Sequence, residues 1–285
     1  MRPEVIAILS AMGWAGDAIL VRMGARTSNI YGAAFLSYCV SAICLWSYLF
    51  LYFPLNLLWS PATVYFVLSG CLQPLMARVL YYIGMTRLGV SRAGPLRGTS
   101  PLFALTIAVL FLHERPTLLI LGGTSLIVAS VWLVSARVKG EKEWKLFDIV
   151  FPLGAALVAA VSQNLRRGGL LILPDPYVGA AVSTTTSLVI FVVFLLAAGR
   201  IRLLVPERQS FPFFGSAALV SAGAQVLNFM ALSMGEVSVM VPLLDTTPLF
   251  TVLFSAIFLR DLEKVTPRIV LGALLMVSGV IIISS

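Results

Sequence analysis

The chain alternates long apolar runs with short polar breaks. Its first run extends from about Glu4 to Val21, carries Gly13, Trp14, Gly16 and Asp17 near its middle, and closes at Arg22. The next is about Ile30 to Phe53, uninterrupted and aromatic. A third, about Ala62 to Met85, contains Gln73, Pro74 and Arg78; a fourth, about Val90 to Leu112, contains Pro95, Arg97 and Pro101. The fifth is Leu118 to Ser135. After a charged connector, Ala136 to Asp148, five more follow: Ile149–Leu165, Pro176–Ala198, Phe213–Met234, Val237–Leu259 and Ile269–Ile283. The ninth holds Pro242, Asp245 and Pro248. A helix crosses a bilayer with about 20 apolar residues, so these runs predict ten membrane spans.

The pattern is also duplicated. A shift of 147 lays Val90–Glu114 on Val237–Asp261 with ten of 25 columns identical, including Pro95/Pro242 and a shared Thr-x-Pro-Leu-Phe at Thr99 and Thr246. A weaker pairing, at a shift of 145, lays Ala15–Gly24 on Ala160–Gly169 and matches Arg22 with Arg167. Such self-similarity divides the chain before any other reading. Five spans is an odd number, so the second half enters from the opposite face. The expected architecture is an all-α polytopic membrane protein of ten transmembrane helices in two inverted five-helix repeats. The repeats should occupy residues 1–138 and 148–285, with a polar linker over 139–147.

Composition agrees: 59% of residues are hydrophobic, 11% are charged, and mean hydropathy is +0.99. No ordinary soluble domain has that balance. The net charge of +8 is not a nucleic-acid footprint, because Lys and Arg lie mostly in short loops. Fourteen of them fall on one predicted face, against Arg2, Arg115, Arg166 and Arg167 on the other. The positive-inside rule puts the crowded face in the cytoplasm and both termini outside. Asp17 interrupts the first run, which argues against a cleavable signal peptide. Cys39, Cys44 and Cys71 lie in apolar runs without metal-ligand spacing and read as buried free thiols. One histidine, His113, at a span edge offers neither a metal cluster nor a catalytic base with a nucleophile, so no enzyme, metal or cofactor is expected.

Four ionisable residues lie well inside spans: Asp17, Arg78, Arg97 and Asp245. Each costs about 2.5–3.5 kcal/mol at a span centre on insertion scales, so each needs a partner or a wet cavity. Two structural ion pairs would meet that need; so would a polar midplane site. The prolines favour the site. Pro101 and Pro248 withdraw an amide from the carbonyls of Arg97 and Leu244, and Pro95 and Pro242 do the same earlier in each span. Breaks at matching positions of two halves mark the binding region of inverted-repeat transporters. Trp14 shares a helix face with Asp17, and Tyr81 and Tyr82 share one with Arg78. Together they would make a cage for an organic molecule with apolar and charged parts. Arg97 and Asp245 occupy neighbouring columns of the repeat and would bring opposite charges to one site, suiting a zwitterionic solute. Whether Asp17 or Asp245 carries a proton, or stays paired while transport proceeds passively or by exchange, is left open by the sequence. Glu114 and Asp261, closing the two duplicated spans, read as structural.

Thr99-Ser-Pro-Leu-Phe through Phe111-Leu-His-Glu114 and on through Gly122-Gly to Leu133 resembles the end of an EamA-type domain. Thr247-Pro-Leu-Phe through Phe258-Leu-Arg-Asp261 and on to Val280 resembles it again, with Asp261 where that family usually has Glu. The chain is similar throughout to ten-span members of the drug/metabolite transporter superfamily. The resemblance implies a central cavity between inverted halves, with the fifth and tenth helices peripheral. It also implies transport, often export, of small organic metabolites across the inner membrane. Arg97 and Asp245 fall outside the family pattern.

Overall fold

The computed structural model describes residues 1–52, 58–88, 93, 96–135, 145–258 and 267–284. Among these, the regular structure is helical throughout, without a strand. The helices are α1 (Pro3–Gly24), α2 (Ile30–Tyr52), α3 (Ala62–Cys71), α4 (Ala77–Leu88), α5 (Ser100–Phe111) and α6 (Leu118–Ser135). They continue as α7 (Val150–Ile172), α8 (Pro176–Ala197), α9 (Phe211–Met234), α10 (Val237–Leu244), α11 (Thr247–Phe258) and α12 (Pro267–Ser284). Six helical stretches among the described residues are long and apolar enough to cross a membrane, and shorter apolar helices accompany them. The protein is therefore an all-helical, polytopic membrane protein.

Helix ends follow local chemistry. Asp175 caps α8 by accepting from the amides of Tyr177 and Val178 at 2.9 and 2.8 Å, with Pro176 opening the helix. Pro3, Pro101 and Pro212 likewise stand in first turns, where the missing N–H has no intrahelical use.

Packing relates the two halves. Helix α1 packs on α9, α10 and α11; α7 packs on α3, α4 and α5. Helix α2 packs on α9, and α8 on α3; α2 also meets α8, α5 meets α10, and α6 meets α12. Exchanging α1 with α7, α2 with α8, α3–α4 with α9, α5 with α10–α11, and α6 with α12 leaves these pairings unchanged. Helices exchanged in this way run antiparallel where they touch. Along α2, Tyr38 meets the Phe191 ring, Trp46 donates to Thr185 and Tyr48 meets Tyr177, so α8 descends as α2 ascends. On α6 and α12, Gly123 lies against Gly279 while Ser130 donates to the Gly272 carbonyl at 2.6 Å. A Cβ on Gly123 would sit 2.8 Å from the Gly279 carbonyl oxygen. Lipid supplies no hydrophobic drive between helices, so close approach at small residues holds this pair.

Three expectations need correction. The third run is one span in sequence but is broken in space: α3 passes into a π-helical turn, Leu72–Met76, in which Gln73 has φ −123° and ψ 140°. The sixth run continues to Ile172, seven residues beyond Leu165, so Arg166 and Arg167 are helix residues and leave the loop count. Their guanidinium groups find polar partners inside the bundle, which lets the helix continue through them. Finally, the cysteines are free but not buried: Cys44 is exposed and Cys39 and Cys71 are half-buried.

Candidate functional site

The duplicated spans are both interrupted, and in the same way. In the first half, Leu96 and Arg97 are helical, Gly98 and Thr99 form a turn, and α5 begins at Ser100. In the second, α10 ends at Leu244, Asp245 and Thr246 form the turn, and α11 begins at Thr247. Thr99 donates its hydroxyl to the Leu96 carbonyl at 2.7 Å, and its amide reaches the same oxygen at 3.3 Å. Thr246 treats Leu243 identically, at 2.7 and 3.2 Å. Across each break, Leu102 or Leu249 donates its amide to the threonine carbonyl at 3.0 Å. A break in a lipid-embedded helix must satisfy its own backbone, and one threonine does so in each half.

The prolines stand just beyond these breaks. Pro101 and Pro248 open the helices after the turns rather than kinking them from within. The Leu244 carbonyl, which Pro248 cannot serve, accepts from the Thr247 hydroxyl at 2.9 Å. Pro242 is buried inside α10. Pro95 and the Tyr82 side chain lie outside the described residues.

The four ionisable positions fall into two electrostatic pairs. Arg97 acts on Asp245, and the Ser100 side chain hydrogen-bonds the same carboxylate. Charge from one break is thus met by charge and hydroxyl from the other. Arg78, exposed on α4, acts on Asp17 of α1. The Asp17 Oδ1 is buried without a hydrogen-bond partner. Trp14, one turn before Asp17, and Tyr81, on α4 beside Arg78, are half-buried. The structure thus sets Asp245 in the field of Arg97 and Asp17 in that of Arg78; no direct contact joins the Trp14 ring to either pair among the described residues.

A second polar tract escaped the reading of the sequence. On α7, Ser162, Gln163, Asn164 and Arg166 are all buried. Ser162 donates to the Ser69 carbonyl at 3.1 Å, and Asn164 to the Ala104 carbonyl at 3.1 Å, one turn beyond Pro101. Arg166 donates to Asn228 Oδ1 at 3.1 Å and lies 5.0 Å from the centre of the Phe229 ring. Arg167 donates to the carbonyls of Leu232 and Ser233 at 2.7 and 3.0 Å, closing the C-terminus of α9. Glu114, from the first half, accepts from the amides of Val237 and Ser238 at 2.8 and 2.9 Å and so caps α10. The signal was present as a polar run, Ser162 to Arg167, but a span closed at its first charge hid it. Near the break in the third run, the Ser187 hydroxyl on α8 lies 3.0 Å from the Gly70 carbonyl and 2.9 Å from that of Gln73. Among the described residues, no group of three His, Cys, Asp or Glu side chains could hold a metal ion.

A polytopic helical bundle with paired helix breaks and charges at both is an arrangement found in many membrane transporters of small molecules. The chain belongs to the EamA-like transporter family, whose sequence profile matches residues 1–136 and again 148–285. That places it in the drug/metabolite transporter superfamily, a group of transporters rather than enzymes. The chain matches none of the curated proteins. A solved structure described only as "Crystal structure of protein" superposes with a TM-score of 0.79 at 12% identity, covering 99% of this chain and 96% of that one. At that identity the likeness shows the fold alone.

Proposed function

We propose that this protein is a secondary transporter that exports small, amino-acid-like organic metabolites across the inner membrane by alternating access. Its ten spans form two inverted repeats, residues 1–138 and 148–285, joined by the linker 139–147. Antiparallel packing of α2 with α8 and of α6 with α12, and a set of helix pairs unchanged by exchanging the halves, support that topology. The observation that carries the proposal is the pair of identically built breaks, with Arg97 of one acting electrostatically on Asp245 of the other. Opposite charges there suit a solute bearing both an ammonium and a carboxylate. In this reading Trp14, Asp17, Arg78 and Tyr81 belong to the same path, Tyr82 is assigned to it from its sequence position, and Asp17 exchanges a proton during transport. Pro95, Pro101, Pro242 and Pro248 keep the two spans segmented so that their halves can tilt. The decisive experiment is uptake and counterflow of a radiolabelled metabolite panel by the purified protein in liposomes, with and without a pH gradient. Absence of protein-dependent flux for every member would reject the proposal.

A further inference from the structure

We propose that Arg166 is the seat of the transported solute's carboxylate, an inference that rests on the transport reading above. The cations within this bundle differ in what answers them. Arg97 faces Asp245, Arg78 faces Asp17, and Arg167 lies in the field of Glu114 and Glu236. Arg166 is 5% exposed, yet its polar partners are only the neutral amides of Asn228, at 3.1 Å, and Gln163, at 3.5 Å. Among the described residues, no carboxylate pairs with it. Its Nε is buried with no hydrogen-bond partner. Arginine does not escape this by deprotonating. A buried charge without a counter-charge is costly, and at membrane depth such residues mark solute paths.

The geometry says what is missing. Nη1 is engaged by the two amides, and the Nε edge of the guanidinium is left over. That edge carries parallel donors that fit a carboxylate in a two-bond fork. The face of the guanidinium is covered by Phe229, at 5.0 Å, which suits an apolar body next to the carboxylate. A phosphate would bring a second negative charge, and the neighbouring cation, Arg167, is already engaged by the Leu232 and Ser233 carbonyls. The location also fits. Two residues earlier on α7, Asn164 holds Ala104 of α5, and the next residue, Arg167, holds the end of α9 just before α10. Arg166 therefore stands on the helix that braces both interrupted spans, so a solute bound there bears on both.

The test uses the full-length protein purified in detergent and reconstituted in liposomes. The probes are L-leucine, L-phenylalanine, pyruvate and benzoate, each beside its own primary amide. Thermal unfolding midpoints read binding, and tracer flux reads transport. At least one acid should raise the wild-type midpoint, with its amide binding about tenfold or more weaker, as expected for losing a charge-assisted contact. Arg166→Gln should abolish that preference; Arg166→Lys should keep it at reduced affinity. No preference for any acid over its amide in the wild type overturns the site, and that arm needs no variant to fold. Arg166→Gln binding acids as the wild type does also overturns it. Arg166-dependent binding without flux would refute transport and leave the site standing. Flux of organic solutes indifferent to acid or amide would refute the site and leave transport standing.

Discussion

The two interrupted spans share a backbone and differ in chemistry. Both use a threonine to hold a leucine carbonyl three residues back, and both restart on a proline in the next first turn. At the break itself the columns diverge: Arg97 against Leu244, Gly98 against Asp245, Ser100 against Thr247. In the second half Thr247 turns back to its own Leu244 carbonyl, whereas in the first half Ser100 reaches across to Asp245. Residues that solve the backbone problem of a helix ending in lipid are alike, because that problem is the same in each half. Residues free of it complement each other across the interface. A duplicated scaffold with divergent, mutually facing side chains is the arrangement expected where one solute meets both halves.

The largest effect should come from breaking that complementarity. Arg97→Leu or Asp245→Leu leaves an uncompensated charge in the interior and should cost about 3–5 kcal/mol, read as a fall in the thermal unfolding midpoint in detergent. Changing both together removes the two charges and should recover most of that loss. The double variant should nevertheless fail to transport in liposomes. A folded double variant with normal flux would reduce the pair to a structural neutralisation and leave the two breaks as mere kinks.

A second, smaller effect tests whether the second-half break depends on the first half. Glu114 crosses to cap α10, so Glu114→Ala leaves the Val237 and Ser238 amides without their carboxylate. The expected loss is about 2 kcal/mol, within the range for caps and unsatisfied buried donors. Glu114→Gln should lose less, since an amide oxygen can still accept. An unchanged midpoint for Glu114→Ala would show that α10 starts independently of the first half. Below this in size lie the threonines themselves. Thr99→Val and Thr246→Val keep side-chain shape and remove one hydrogen bond each, so each should cost about 1 kcal/mol. Equal losses would confirm that the two turns are energetically one device; a loss confined to one half would make the likeness cosmetic.

Much of this was legible in the sequence because membrane helices write themselves plainly. Apolar runs of the required length, a repeat with matched prolines, and in-span charges are one-dimensional features. The electrostatic partners Arg97 and Asp245 could be nominated because the repeat put them in adjacent columns. Three-dimensional satisfaction was not legible. Arg166 looked like a loop residue because a run was closed at its first charge; only Gln163 one turn earlier, with Asn228 and Phe229 of α9, explains its burial. Glu114 read as structural, but its partners could not be named, since they are amides 123 and 124 residues away. The break at Gln73 was likewise hidden, because what tolerates it is a serine on another helix, Ser187. Pro74 marked the place but not the conformation.

The smallest stability effect and the finest test of the comparison come from the prolines. Pro101 and Pro248 stand in first turns, where the missing amide costs the helix little. Restoring an amide by Pro101→Ala or Pro248→Ala should therefore shift stability by about 1 kcal/mol or less. Transport should respond more, and unequally. In the second half the Leu244 carbonyl already accepts from Thr247, so a new amide finds its partner occupied. In the first half Ser100 is turned to Asp245, so a new amide can close on the Arg97 carbonyl and carry the helix through the break. Straightening that span would move Arg97 relative to Asp245. Pro101→Ala should thus slow flux in liposomes more than Pro248→Ala at similar unfolding midpoints. Normal flux in both variants would remove the segmented spans from the transport cycle, and the reverse order would mean that the second half, not the first, carries the moving break.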